Sequence, residues 1–239
     1  MSCLVIVRHG ESQWNLEQRF TGWADVDLTP RGVAQMERAG KTLRQHGIEL
    51  NEAYSSTLTR SIRSLWILLD AIGTLWIPVR IDWRLNERHY GALTGQSKMQ
   101  AEKEYGAALV QRWRRAYDAE PPPISGESGV FVKLDRRYAG LPASTIPTGE
   151  SLLQTVARVS ETWRESIAPA LRMGQSVLVV AHGNSLRALT KIIEGTADAD
   201  IGRLEIANGE PRVYEFDSAL TLIDKRVLSQ SLQSASDIL

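Results

Sequence analysis

What is scarce in this chain narrows the field first. Its 239 residues hold one cysteine, Cys3, so no intramolecular disulfide can form and a thiolate zinc centre lacks its ligands. That fits a reducing compartment, and the expected location is the cytoplasm. Cys3 opens an apolar run and reads as a small core hydrophobe rather than a reactive thiol. Neither sign of charge is in excess, because 28 Lys plus Arg balance 28 Asp plus Glu. A protein that gripped nucleic acid through its phosphates would carry a basic surplus or a basic stretch, and neither is present. No run approaches the ~20 apolar residues that span a bilayer. The amino-terminal run is too short for a secretion signal and has no basic region before it. The expectation is therefore no nucleic-acid partner and no membrane. Hydrophobic residues still make up 43% of the chain, which excludes disorder as the dominant state.

Strand-like and helix-like periods alternate along what remains. Leu4 to Val7 is a continuous, β-branched run of the kind that forms a strand buried on both faces. Thr29 and Pro30 mark the cap and first residue of a helix that Gly47 closes, with Val33, Met36, Gly40 and Leu43 on one face. Ala53 to Ser55 reads as a short strand, and Leu58, Ile62, Leu65 and Leu69 repeat at helical spacing up to Gly73. A further helix spans Lys98 to Tyr117 with a break near Gly106. From about Glu150, the residues Leu152, Val156, Val159, Trp163, Ile167 and Leu171 form one stripe. Val177 to Ala181 is a second buried strand, and a helix follows over Asn184 to Glu194. Val213 to Phe216 and Leu220 to Ile223 read as two closing strands. This alternation predicts a three-layer α/β/α sandwich with a mostly parallel central sheet, as one domain over 1–239. Pro121-Pro122-Pro123 and the glycines after it mark a lid-like insertion at about 120–148. A polar tail occupies about 228–239.

Two segments share a plan. Leu4-Val5-Ile6-Val7-Arg8-His9-Gly10-Glu11-Ser12 and Val177-Leu178-Val179-Val180-Ala181-His182-Gly183-Asn184-Ser185 each carry a hydrophobic strand into a histidine, then a glycine, then short polar residues able to cap a helix. In open α/β sheets, ligands bind at the carboxyl ends of strands, so the two imidazoles can face one another across a single crevice. Arg8 stands directly before His9, and a guanidinium matches phosphate oxygens in a bidentate fork. Either histidine alone reads equally well as a satisfied residue at a strand end. The pair, with Arg8, reads as a phosphate site.

These residues resemble the histidine phosphatase superfamily and, within it, the cofactor-dependent phosphoglycerate mutases. The resemblance is carried by Arg8-His9-Gly10-Glu11, Ser12-Gln13-Trp14-Asn15, Phe20-Thr21-Gly22-Trp23, Asp27-Leu28-Thr29 and Ser56-Thr57-Leu58-Thr59-Arg60. Leu85 through Leu93, Trp113-Arg114-Arg115 and Ala181 through Arg187 complete it, so that it runs from about Leu4 to Phe216. The resemblance implies a phosphoglycerate mutase-like fold. It also implies interconversion of 3- and 2-phosphoglycerate through a phosphohistidine, in glycolysis and gluconeogenesis, primed by 2,3-bisphosphoglycerate and without a metal. His9 is then the nucleophile, neutral, with its second ring nitrogen held by an acceptor such as a backbone carbonyl. Arg8, Arg60 and a protonated His182 hold the transferring group, and Glu87 is the general acid and base. Arg114, Arg115 and Lys98 bind the far phosphate or carboxylate. Gly10, Ser12, Asn15, Thr21, Gly22, Tyr90, Gly183 and Asn184 complete the substrate contacts, with Arg88 and His89 bordering them. Relatives are often dimers or tetramers, so a homo-oligomer acting on a small phosphorylated substrate is expected.

Blind to the resemblance, several of these readings are open. Arg112-Trp113-Arg114-Arg115 taken alone reads as a solvated helix face, and Glu87 taken alone as a surface charge. Gly40-Lys41-Thr42 mimics the end of a phosphate-binding P-loop, but residue 35 is Gln where that motif needs Gly, and the stretch lies inside a helix pattern. His9-Gly10-Glu11 has the spacing of zinc deaminases without their cysteine pair. Two other activities remain on the table: a phosphatase that uses the same phosphohistidine, and a non-catalytic phospholigand-binding protein.

Overall fold

The structure is a computed structural model that describes residues 1–125 and 135–229. Its first half comprises β1 (Ser2–Arg8), α1 (Gln13–Leu16), α2 (Pro30–Gln45), β2 (Glu52–Ser55), α3 (Thr59–Ile72) and β3 (Val79–Ile81). α4 (Lys98–Tyr105), α5 (Ala107–Arg115), α6 (Leu152–Thr162), α7 (Ala168–Arg172), β4 (Val177–Ala181), α8 (Gly183–Glu194), β5 (Pro211–Phe216) and β6 (Leu222–Val227) follow. The six strands form one sheet in the order β3-β2-β4-β1-β5-β6. Its left side is parallel, and β5 and β6 add two antiparallel pairings on the right.

Leu4, Val5, Ile6 and Val7 are all fully buried, because successive side chains of the strand enter different layers. Leu4 and Ile6 join Val177, Val179 and Tyr214 beneath Val159 of α6 and Leu186 and Leu189 of α8. Val5 and Val7 join Leu178 and Val180 on the opposite face, against Met36 and Leu43 of α2 and Leu65 and Leu68 of α3. The expected three-layer arrangement thus follows from two strands whose runs Leu4–Val7 and Val177–Ala181 are apolar at every position.

Helix boundaries obey the local chemistry. The Thr29 hydroxyl accepts from the Gly32 N–H at 3.0 Å with Pro30 beside it, and Gly73 ends α3 in the left-handed region. The stripe from Leu152 to Leu171 advances mostly in steps of four, which drifts around a 3.6-residue helix. A π-helical turn over Trp163–Ile167 absorbs the drift, so Leu152, Val159, Ile167 and Leu171 all remain buried. The expected strand at Leu220–Ile223 is displaced. Leu220 occupies a turn with φ +64°, and β6 runs on through Asp224, Lys225 and Arg226. It is an edge strand with most of its residues exposed, so no apolar run marks it. The same holds for β3, the opposite edge.

Residues 126–134 of the predicted insertion and 230–239 of the predicted tail lie outside the described residues. The insertion's flanks pack onto the domain. Ile124 N donates to Thr148 O at 2.7 Å, and Tyr138 and Ile146 are buried against Trp23.

The topology also places a crevice. β1 connects leftward through α2, over β4, to β2. The connection from β4 runs rightward through α8, over β1, to β5. The chain therefore leaves the adjacent parallel strands β1 and β4 in opposite directions at their carboxyl ends, where such sheets bind ligands.

Candidate active site

At that divergence the two histidines meet. Arg8 pairs in register with Ala181, and the next backbone bond, His9 N to Ala181 O at 2.9 Å, carries the pairing one residue further. The His9 and His182 rings lie 4.9 Å apart between centroids, inclined at 61°. Both side chains are buried, at 2% and 0% exposure.

His9 Nδ1 sits 2.6 Å from the carbonyl oxygen of Gly10. A carbonyl only accepts, so Nδ1 carries the proton and Nε2 keeps its lone pair. Burial, then Arg60 and Arg8, hold the His9 pKa well below the usual imidazole value. His182 Nε2 lies 2.7 Å from the Ser56 hydroxyl, while its Nδ1 is buried without a partner. The expected protonated His182 is corrected by its surroundings. Burial, followed by Arg60, His9 and Arg8, pushes this pKa well down too, because a second cation is unfavourable among fixed guanidiniums.

A cavity of about 230 Å³ opens in front of His9. Arg8, Arg19, Arg60, Lys98, Arg114, Arg115 and Arg187 line it, against only Glu87 and Glu205 of opposite charge. Arg60, fully buried on the first turn of α3, donates from Nη1 to Ala24 O and from Nη2 to Gly22 O, both at 2.8 Å. Its pKa falls to about 10, chiefly through burial. Arg8 Nη1 donates to Ile206 O at 2.9 Å. The Nε atoms of both Arg8 and Arg60 are buried without partners. Lys98 is also lowered, by burial and then by Arg114, Arg8 and Arg115. The wall is a concentrated positive field suited to a multiply charged anion.

Glu87 is buried at the cavity edge. Its Oε1 accepts from Arg88 N at 2.8 Å and from Asn184 N at 3.1 Å, which leaves Oε2 for other work. The backbone beneath it is clamped. Trp23 Nε1 donates to Glu87 O at 2.6 Å. Arg158 donates to the carbonyls of Arg84, Asn86 and Glu87 at 2.6, 2.9 and 3.0 Å. Glu150 closes the clamp, bound bidentately to Arg158 and accepting from His89 N at 2.7 Å.

Of the sequence-predicted residues, Arg8, His9, Asn15, Thr21, Gly22, Arg60, Glu87, Tyr90, Lys98, Arg114, Arg115, Gly183 and Asn184 line this one cavity, and His182 abuts it through His9. Four others stand behind the wall. Gly10 packs against Gly32, and the Ser12 hydroxyl caps α1 by accepting from Asn15 N. Arg88 is buried with Nη2 on Arg114 O at 3.3 Å. His89 is buried with its Nδ1 accepting from Gly91 N at 3.0 Å. Sequence reasoning did not single out Arg19, Arg187 or Glu205 among the lining residues, nor Ser56 and Arg158 behind them. For Arg187 a signal existed, since it follows Asn184 by three residues and shares its helix face. Among the described residues, no group of His, Cys, Asp or Glu is placed to hold a metal ion. Nor is any helix there long and apolar enough to cross a membrane.

A neutral imidazole inside an arginine cage defines a class, and comparison with known proteins agrees. The chain belongs to the histidine phosphatase superfamily (branch 1), which it matches over residues 4–140 and 132–226. It is 48% identical, over 216 residues and 90% of each chain, to the 2,3-bisphosphoglycerate-dependent phosphoglycerate mutase of Nitrosococcus oceani. Among solved structures it is similar to Bacillus stearothermophilus YhfR, with a TM-score of 0.70 and 24% identity over 93% of this chain and 95% of that one. It is also similar to a mycobacterial glucosyl-3-phosphoglycerate phosphatase complexed with VO3, with a TM-score of 0.71 and 24% identity over 94% and 96%. At that identity the two structures speak for the fold alone.

Proposed function

We propose that this chain interconverts 3-phosphoglycerate and 2-phosphoglycerate through a phosphohistidine on His9, as a cytoplasmic step of glycolysis and gluconeogenesis. The observation that carries the reading is the His9 ring itself. It is buried and neutral, oriented by Gly10 O, and faces a cavity whose cations extend from Arg8 and Arg60 to Lys98, Arg114 and Arg115. The likeness to the Nitrosococcus oceani enzyme over 90% of both chains supports the same reading.

Phosphoryl transfer asks for positioning and charge neutralisation more than for covalent novelty. His9 Nε2 presents its lone pair to phosphorus, so that one N–P bond forms as the P–O bond opposite it breaks. Arg8, Arg60 and the buried Nδ1 of His182 surround the equatorial oxygens. Glu87 gives a proton to the departing glycerate hydroxyl and takes one from the hydroxyl that attacks. Lys98, Arg114 and Arg115 hold the carboxylate or second phosphate at the far end. The partnerless buried Nε atoms of Arg8 and Arg60 and the seven lining cations fit 2,3-bisphosphoglycerate, which would supply the phosphoryl group that primes His9.

The test supplies 3-phosphoglycerate with and without trace 2,3-bisphosphoglycerate, in the presence of a chelator, and follows 2-phosphoglycerate and free phosphate. Isomer formation stimulated by the bisphosphate is the expected result. Phosphate as the only product would make the protein a phosphatase, and neither product would make it a binder. His9→Ala should trap no labelled phosphate.

A further inference from the structure

Arg187 lines the cavity at 8% exposure, one turn into α8. Two of its nitrogens are committed. Nε donates to Leu204 O at 2.8 Å, and Nη1 donates to Asn184 Oδ1 at 2.9 Å. A guanidinium carries donors only, so the end of the Asn184 amide that faces it must be the oxygen. The opposite end is then the NH2 group, which donates to Tyr90 Oη at 3.1 Å. A hydroxyl whose oxygen already accepts has its own proton free to donate. Tyr90 and Asn184 both line the cavity, so the chain from Arg187 ends in an O–H donor on the wall that meets the ligand.

Reversal of that amide would reverse every link. Tyr90 would donate to Asn184 Oδ1 and turn a lone pair toward an anion. Two amide orientations differ little in shape, and only the hydrogen-bond network chooses between them. Leu204 O adds the second tie that fixes the guanidinium plane.

We propose that Arg187 is a positioning residue that sets the polarity of the Asn184–Tyr90 pair, so that this wall offers donors to the phosphate or carboxylate oxygens of the substrate. The inference rests on the cavity's binding a phosphorylated anion, as proposed above. It adds a specificity determinant that acts through Asn184.

The experiment is a double-mutant cycle between Arg187→Met and Tyr90→Phe in the full chain, since the two side chains share Asn184 as their common partner. Kd for inorganic phosphate is measured by calorimetry beside kcat and KM for 3-phosphoglycerate, and melting temperature is followed throughout. Arg187→Met is expected to raise Kd and KM about tenfold, the loss of roughly one charge-assisted hydrogen bond, with kcat changed less than threefold. In the Tyr90→Phe background the same substitution should add less than twofold, whereas a general loss of stability would multiply through both backgrounds. Arg187→Lys, which also presents donors only, should keep Kd within threefold of wild type. Multiplicative effects overturn the proposal, as does an Arg187→Met protein with wild-type affinity or a tenfold loss in Arg187→Lys at unchanged melting temperature. Wild-type protein that binds phosphate but makes no 2-phosphoglycerate would count against the proposed reaction and leave the cycle readable. A failure to bind phosphate at all overturns both.

Discussion

Three buried imidazoles make stability depend on pH with a calculable sign. Burial holds His9 and His182 well below the usual imidazole value and brings His89 to about 4, whereas each titrates near 6.5 in the unfolded chain. Above pH 6.5 all three are neutral in both states, and their linkage contribution is flat. As pH falls below 6.5 the unfolded chain takes up protons that the folded one refuses, so stability falls through the window from about 6.5 down to the folded pKa values. Each group contributes about 1.4 kcal/mol per pH unit, so the three together remove about 4 kcal/mol between pH 7.5 and 5.5. In the unfolded chain Asp and Glu titrate at about 4, below this window. The assay is urea unfolding followed by circular dichroism at pH 7.5, 6.5 and 5.5. Phosphate is left out of the buffers, because an anion bound to the folded cavity would stabilise it by mass action. His89→Gln, which keeps an acceptor for the Gly91 N–H, should remove about a third of the slope. Unfolding free energies equal within about 1 kcal/mol at pH 7.5 and 5.5 would show that these rings take up protons inside the fold.

Three further outcomes are expected. Gly10→Ala would place a Cβ 2.2 Å from the Gly32 carbonyl oxygen and push aside the loop that holds His9 Nδ1; kcat should fall about a hundredfold, and wild-type turnover would refute the alignment argument. Arg158→Met unpairs Glu150 and three carbonyls at once, so unfolding free energy should drop by about 3–5 kcal/mol, read from urea titration. Glu87→Gln keeps an oxygen for the Arg88 and Asn184 N–H groups but cannot shuttle a proton. It should bind phosphate as the wild type does and turn over at least a hundredfold more slowly, measured by calorimetry and by 2-phosphoglycerate formation.

How legible was this in the sequence? The sheet centre was, because Leu4–Val7 and Val177–Ala181 are apolar at every position and end in the same His-Gly step. The edges were not. β3 and β6 carry charge, and an edge strand needs only one protected face. The cavity floor was legible for residues that stand at strand ends or in matched motifs. Motif membership alone, however, did not separate lining from support: Ser12, Arg88 and His89 lie in the matched segments and face inward to caps and clamps. Arg158 is not singled out by the sequence, and Arg187 only as the end of a matched segment, since their roles depend on carbonyls that only the folded chain brings near. The charge of His182 is not legible either, because its pKa is lowered first by burial and then by Arg60, His9 and Arg8, which only the fold brings around it.

The partners chosen for the cavity arginines explain how a chain of zero net charge sustains so cationic a site. Arg60 is held by Ala24 O and Gly22 O, Arg8 by Ile206 O, and Arg187 by Leu204 O and the Asn184 amide. Arg115 reaches Gly202 O at 3.2 Å, so carbonyls at 202, 204 and 206, in the 3-10 turn Ile201–Arg203 and the stretch that follows it, anchor three arginines from three different elements. Neutral oxygens fix a guanidinium in space without cancelling its charge. A carboxylate in the same place would fix it equally well, yet would compete with the substrate anion, and that ion pair would have to be broken on binding. Arg158 shows the contrast. Besides three carbonyls it holds a carboxylate, Glu150, and it works behind the wall, where neutralisation does no harm. The buried arginines of the wall, Arg8, Arg60 and Arg187, thus keep their charge available to the cavity. Two lining arginines that are more exposed do pair with carboxylates, Arg115 with Glu205 at 2.6 Å and Arg19 with Glu17 at 2.7 Å, at the solvent side, where water screening makes such pairs weak enough to exchange.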